Sequence, residues 1–312
     1  MTNGMLVAAP ERWDEACFAV PALRAMVASG LQTGVLCPVE QRPFWETVDG
    51  LVVVGFPPKL KAKQISAGIP GTWEASLAWH GGLVAEAFQA ASIPRRLGPD
   101  DGKLKKRLTH PLTIFAGPLE HRVRFYLSAV EALGMDVARP EFFAPVGGES
   151  PPKPHAVLLC PGSDFGPSHE WPIARWVEIA GKLREAGRRI AVATIGTGRN
   201  AGLQLSAALG DGVEIIGAAP LADALSQLTG WELVVTADGS LPHVAGHLGA
   251  TCVVLFGPND PAWKRPLGKR HTVVRRHVEC APCLLPKCPL DMRCQLELTV
   301  DRVWAAIEPA LG

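Results

Sequence analysis

The sequence predicts an α/β protein built as two doubly wound domains, and three observations predict it. Short apolar runs of strand length alternate with amphipathic stretches of helix length along most of the chain. The alternation breaks at residues 143–154, FAPVGGESPPKP, where four prolines and two glycines hold neither a helix nor a central strand and read as a linker. At 312 residues the chain is also too long for most single cores. The predicted domains are 1–150 and 151–312, facing one another across a cleft lined by the carboxyl edges of their sheets.

In the first half, residues 5–9 read as a strand, followed by a loop through Asp14 and a helix to about residue 29. That helix carries Ala16, Val20, Leu23 and Val27 on one face. Further strands are read at 35–38, 51–54, 77–79 and 95–97, with helices over 40–48, 83–91 and 119–133, the last ending at Gly134. In the second half, strands are read at 156–160, 189–194, 213–216, 233–236 and 251–256. Helices follow at 173–186 (stopped by Gly187), 201–209, 221–229 and 241–248, and a last one runs from Thr299, an N-cap, to about residue 310.

The formal net charge of +1 gives no global field toward nucleic acid or an anionic membrane. The basic run from Lys103 to Arg107 follows Asp100 and Asp101, so a solvated loop is the first reading and a site for an acidic acceptor the second. No apolar run reaches the roughly 18–20 residues that cross a bilayer. The first residues lack the basic start and apolar core of a signal peptide, so a cytoplasmic protein is expected. The eight cysteines are then thiols or ligands rather than disulfides, with Cys17, Cys37, Cys160 and Cys252 read as buried apolar residues.

Four constellations carry chemistry. The stretch 160–172, CPGSDFGPSHEWP, leaves a strand and ends with proline at a helix start. Its glycines permit close approach of a ligand to backbone, Ser163 and Ser168 supply hydroxyls, and His169 supplies a cation for phosphate; an ordinary long loop with a capping serine is the alternative. The turn Asp238-Gly239-Ser240, followed by Pro242 and His243, opens a helix whose N-terminus suits an anion. Singly, Ser240 reads as an N-cap and His243 as a packed first-turn histidine. Together with Gly162 and Ser163 at the edge of the same sheet, they point to a nucleotide diphosphate. Asp14 reads by itself as a first-turn aspartate that complements a helix dipole, and by position as a general base. Cys280, Cys283, Cys288 and Cys294 form a C-x2-C-x4-C-x5-C series, in which a thiol cluster and a structural zinc or iron–sulfur site are equal readings; no catalytic metal is expected.

These motifs, in this order, resemble glycosyltransferase family 9, the ADP-heptose:lipopolysaccharide heptosyltransferases. The landmarks are P-G-S-x-F-G-P-x-x-x-W-P, D-G-S-L-P-H, V-V-L-F-G-P-N-D-P and the cysteine series, with Asp14, 20–24 (VPALR) and 121–127 (HRVRFYL) as weaker matches in the first half. The resemblance implies a GT-B fold of two Rossmann-like domains, the first on the acceptor side and the second binding the nucleotide sugar. It implies an inverting glycosyltransferase that moves a heptose from ADP-heptose to the lipopolysaccharide inner core, with Asp14 as base. Donor contacts would come from Gly162, Ser163, Ser168, His169, Asn200, Asp238, Gly239, Ser240 and His243, with no cofactor and no metal. The lipid-linked acceptor implies peripheral contact with the inner membrane from a cytoplasmic protein. The chain departs from the family at Trp13 before Asp14, at His169 in place of a lysine, at Asn200 in place of an acidic residue, and near Leu83 and Val84. Those departures keep open a transferase for another nucleotide sugar, or a non-catalytic binder.

Overall fold

The computed structural model describes residues 4–117, 119–147, 153–217 and 220–312. The chain divides into two compact units, Met1–Ala144 and Pro145–Gly312. The boundary expected at 150/151, with residues 148–152 of the expected linker, lies outside the described residues.

The first unit holds one six-stranded sheet of β1 (Gly4–Ala8), β2 (Gln32–Pro38), β3 (Val52–Phe56), β4 (Ala75–Leu77), β5 (Arg95–Pro99) and β6 (His110–Leu112). Its order is β3-β2-β1-β4-β5-β6, with every pair parallel. The second unit holds β7 (Lys153–Cys160), β8 (Arg189–Ala193), β9 (Glu214–Ile216), β10 (Trp231–Ala237), β11 (Cys252–Phe256) and β12 (Thr272–Arg275). Its order is β12-β11-β10-β7-β8-β9, again all parallel. Each sheet winds outward from its first strand, returns to the centre and winds outward the other way. The reversals fall between β1 and β4 and between β7 and β10, the switch points outside whose carboxyl ends such sheets take ligands.

Central strands are continuous apolar runs because helices cover both faces of a parallel sheet. β11, CVVLF, is buried along its whole length. Against the second sheet packs helix Ile173–Glu185, whose buried Trp176, Ile179, Ala180 and Leu183 recur at helical spacing. Each large side chain so buried stabilises the fold by about 1.5–3 kcal/mol. This helix ends where Gly187 requires it to. Gly187 has φ of +74°, its N–H bonds the Arg184 carbonyl at 2.9 Å, and the Arg188 N–H reaches back to Leu183 at 2.9 Å.

Several expectations need correction. β6 and β12 were not expected: each is a short edge strand set in charged or proline-containing sequence. Lys153 and Pro154, read as linker, begin β7. Proline is accommodated there because the pairing with β10 shifts register, Lys153 facing Trp231 and Val157 facing Leu233. The helix read over 119–133 is Val123–Glu131, and 221–229 is a 3₁₀ helix, Leu221–Leu228. Ser240 precedes helix Leu241–His247 in a helical conformation and makes no side-chain capping bond. Thr299 does cap its helix, Val300–Ile307, accepting the Arg302 N–H at 3.3 Å. Among the described residues no helix is long and apolar enough to cross a membrane.

Candidate active site

In the second unit, four segments leave the carboxyl edge at β7, β8, β10 and β11; side chains bind those after β7, β10 and β11 together, and the one after β8 packs its backbone against Gly162. Asp238, the residue after β10, is the centre and is fully buried. Its Oδ2 accepts the Asn259 amide at 2.6 Å and pairs with His169 Nδ1 at 3.0 Å. Its main-chain carbonyl accepts the Ser163 hydroxyl at 2.6 Å. Burial pushes the Asp238 carboxyl above its ordinary value, opposed by the bonds and charge of His169 and by Asn259. Its Oδ1 has no hydrogen-bond partner among the described residues. Asp164 Oδ1 accepts the Ser240 N–H at 2.7 Å, and Glu170 accepts the Ser163 N–H at 3.1 Å. Burial also raises the Glu170 carboxyl, against the Ser163 amide.

Two glycines expected to admit a ligand each lie against a neighbouring loop. A Cβ on Gly162 would lie 1.9 Å from the Gly198 carbonyl oxygen, and one on Gly239 would lie 2.9 Å from Asp164 Oδ1. The serines behave likewise. Ser168 donates its hydroxyl to the Leu285 carbonyl, its N–H bonds Pro286 at 3.2 Å, and its own carbonyl accepts Gln295 Nε2 at 3.2 Å. Ser163, Ser168 and His169 are thus buried and bonded within the protein. The structure brings Gly162, Ser163, His169, Asp238, Gly239 and Ser240 together. His243 lies buried in the first turn of helix Leu241–His247, whereas Asn200 is exposed on helix Arg199–Leu209. Sequence reasoning missed Asn259 and Asp164, which sit in the quoted motifs but are tied in by contacts 21 and 76 residues away.

The cysteine series follows β12 and braces this cluster, since Leu284 donates its N–H to Pro258 at 3.1 Å. Cys280 is exposed and Cys294 buried; burial and then the neighbouring Cys280, Cys283 and Cys288 push the Cys294 thiol up to about 11. Among the described residues no group of three or more His, Cys, Asp or Glu side chains is set to hold a metal ion. Cys17, Cys37, Cys160 and Cys252 are buried free thiols, as expected.

In the first unit, the segments after β1 and β4 meet helix Val123–Glu131 around a cavity of about 340 Å³. Arg12, Glu15, His80, Arg122 and Tyr126 line it beside apolar Trp79. Asp14 is the second residue of helix Trp13–Ala28, the first-turn aspartate that its local sequence suggested rather than a loop residue, and is fully buried. Arg12, just outside that helix, grips it in two parallel bonds, Nε to Oδ1 and Nη2 to Oδ2, each 3.0 Å. Glu15 is held by Arg122 Nη2 at 2.9 Å and by the Tyr126 hydroxyl at 2.7 Å. Burial would raise the Glu15 carboxyl, but the Arg122 bonds and charge and the Tyr126 bond outweigh it and leave it below its ordinary value. The His80 ring stacks on Phe125, with planes 3° apart, and burial and then the Arg122 charge lower its basicity. Arg122 and Tyr126 were quoted only as part of a motif, and the Arg12 contact was not foreseen; a guanidinium two residues before a carboxylate was the available signal.

Two doubly wound sheets, each with polar loops gathered at its switch point, define an α/β protein of the GT-B class. The chain belongs to glycosyltransferase family 9 (heptosyltransferase), whose model matches residues 136–293, just over half its length. It is 31% identical over 122 residues to lipopolysaccharide heptosyltransferase 2 of Escherichia coli K12, covering 38% of this chain and 35% of that one. It is 30% identical over 141 residues to lipopolysaccharide heptosyltransferase 1 of Pseudomonas aeruginosa, covering 44% and 38%. The matched stretch therefore spans little more than a third of these curated relatives. In fold the chain is similar to E. coli ADP-heptose lipopolysaccharide heptosyltransferase II, with a TM-score of 0.79 over 99% of this chain and 98% of that one at 19% identity. It is also similar to the family 9 glycosyltransferase of Veillonella parvula, with a TM-score of 0.84 over 99% and 97% at 13% identity.

Proposed function

We propose that the chain transfers a heptose from ADP-heptose to a hydroxyl of the lipopolysaccharide inner core with inversion, Asp14 acting as general base. Asp14 would take the proton of the acceptor hydroxyl as its oxygen attacks the anomeric carbon. The bond from that carbon to the diphosphate oxygen breaks, and ADP departs with the electron pair. Donor binding belongs to the second unit, at the loops that Gly162, Ser163, Ser168, His169, Asp238, Gly239 and Ser240 fasten together, with His243 in the first turn of the following helix and Asn200 at the rim. Asp238 acts there by fixing the loops and holding His169 at Nδ1, so that preorganised protein dipoles and the imidazole meet the departing diphosphate. Such stabilisation requires no divalent metal. Because the acceptor is lipid-linked, we assign the activity to the cytoplasmic side of the inner membrane, with peripheral contact.

The observation that carries this reading is the family 9 match over 136–293, which includes the whole Asp238 cluster. A thermal-shift panel with ADP, UDP and GDP, with and without Mg²⁺, tests it, followed by transfer from ADP-heptose. A ligand at 100 times its dissociation constant adds about 2.7 kcal/mol of stability. The expected result is a shift with ADP alone, indifferent to Mg²⁺. A shift with UDP or GDP alone would assign another nucleotide sugar, and none at all would leave a non-catalytic protein.

A further inference from the structure

We infer that Cys280 and Cys283 are a thiol–disulfide switch on the donor-side loops: a low-molecular-weight disulfide oxidises the pair, and the bond so closed loosens the clasp on the loop carrying Ser168. The inference rests on the reading of the second unit as the donor side and gives a regulatory role to the cysteine series, which the proposed reaction does not use. The cysteines fall into two groups. Cys17, Cys37, Cys160 and Cys252 stand apart and are buried, and burial pushes all four thiols up, Cys37 and Cys252 to about 12. Such thiols are inert, because the thiolate is the reacting form. The others lie within residues 280–294, where Cys280 is exposed and Cys283 and Cys288 are half-buried. They are neighbours in space as well, since Cys280, Cys283 and Cys288 each lie near enough for their charge to act on the buried Cys294. Alanine and proline alone separate Cys280 from Cys283, the C-x-x-C spacing of dithiol redox pairs.

The same segment clasps the donor-side loops. Leu284 donates its N–H to the Pro258 carbonyl at 3.1 Å, in the loop after β11. The Leu285 carbonyl accepts the Ser168 hydroxyl, the Pro286 carbonyl accepts the Ser168 N–H at 3.2 Å, and Gln295 Nε2 donates to the Ser168 carbonyl at 3.2 Å. Each of these four clasping residues stands within two positions of Cys283, Cys288 or Cys294. The contact has little slack, because a Cβ on Gly166 would lie 2.8 Å from the Pro286 Cβ. The clasp is made with Cys280 and Cys283 as free thiols. Closing a disulfide draws two Cβ atoms to about 3.8 Å and fixes the torsion about the new bond. Cys283 then carries Leu284 and Leu285 with it, and the close contact at Gly166 passes the shift to residues 162–172. The exchange balances in two steps. The Cys280 thiolate attacks the reagent disulfide and releases one thiolate, and Cys283 attacks the Cys280 sulfur and releases the second. Two electrons pass to the reagent, and the two cysteine protons end on the released thiols.

The test treats the intact chain with glutathione disulfide and then with dithiothreitol. Peptide mass mapping should find the bond between Cys280 and Cys283. ADP affinity, read by calorimetry, should fall roughly fivefold to tenfold on oxidation, the worth of about one hydrogen bond, and return with dithiothreitol. Amide hydrogen exchange over residues 162–172 should quicken in the oxidised form, a readout that needs no ligand. Cys280→Ser should bind ADP as the reduced wild type does and ignore the oxidant, while Cys283→Ser should stop at a mixed disulfide on Cys280. Three results overturn the switch: no such bond under excess oxidant, a bond that leaves exchange or ADP affinity unchanged in a chain that binds ADP, and C280S as sensitive as wild type. Stoichiometric zinc or iron held by these thiols in the isolated protein, shielding them from the oxidant, overturns it as well. If the reduced chain binds no ADP while oxidation still quickens exchange over 162–172, the donor reading falls and the switch stands.

Discussion

Replacing Gly162 by alanine is expected to loosen the donor-side loops and destabilise the second unit. The new Cβ would sit 1.9 Å from the Gly198 carbonyl oxygen and 2.8 Å from the Gly198 Cα, both backbone atoms without a side chain's freedom to turn away. One loop must shift, and the bonds that fix Ser163 to Asp238 and to Glu170 begin one residue later. Overpacking of this kind costs about 3 kcal/mol or somewhat more where backbone must move. At about 2–4 °C per kcal/mol, the melting temperature falls by roughly 6–12 °C. Gly181→Ala is the matched control: this residue lies inside helix Ile173–Glu185 with nothing within 4 Å of an added Cβ. That change should raise stability by about 0.5–1 kcal/mol. Urea unfolding with calorimetry reads both, and isothermal titration with ADP reads the loops. A G162A protein as stable as wild type, with unaltered ADP affinity, would refute the packing argument.

Other expectations follow from the hydrogen-bond networks. Glu15→Gln removes charge-assisted bonds from Arg122 and Tyr126 in a largely buried setting and should destabilise by about 2 kcal/mol at neutral pH. Because the folded Glu15 carboxyl lies below its ordinary value, that stability is fully present above the unfolded value and is lost as pH falls through the folded one; the gap between wild type and E15Q should close in acid. A gap independent of pH would contradict the assignment, and melting curves from pH 7 down to 3 decide it. Asn259→Ala leaves the buried Asp238 Oδ2 with His169 as its one hydrogen-bond partner among the described residues and should cost about 1–3 kcal/mol, read by urea unfolding. An unchanged midpoint would mean that Asn259 does not support Asp238.

The winding of both sheets was legible because central parallel strands such as 251–256 are apolar on both faces and stand out from the helices around them. His110–Leu112 and Thr272–Arg275 were hidden because an edge strand needs neither length nor full burial, and these two are set among charged and proline residues. The site shows the same division. Local pattern located the segments holding Ser163, His169 and Asp238, but their partners lie 69 and 75 residues apart in the chain, a separation to which no periodicity reports. Hence hydroxyls and glycines that suit a phosphate by type are used largely to fasten loops together. Asp14 was found by position, while the grip of Arg12 depends on the backbone turning into the helix at residue 12, which composition does not reveal.

The most direct test of the central claim is turnover by Asp14→Asn with ADP-heptose and a lipopolysaccharide inner-core acceptor, beside its affinity for ADP. General base catalysis contributes roughly a hundredfold to ten-thousandfold, so kcat should fall by about that factor. ADP affinity should stay within about twofold, because the proposed donor contacts all lie in the second unit. A D14N protein that transfers heptose at the wild-type rate would contradict the account.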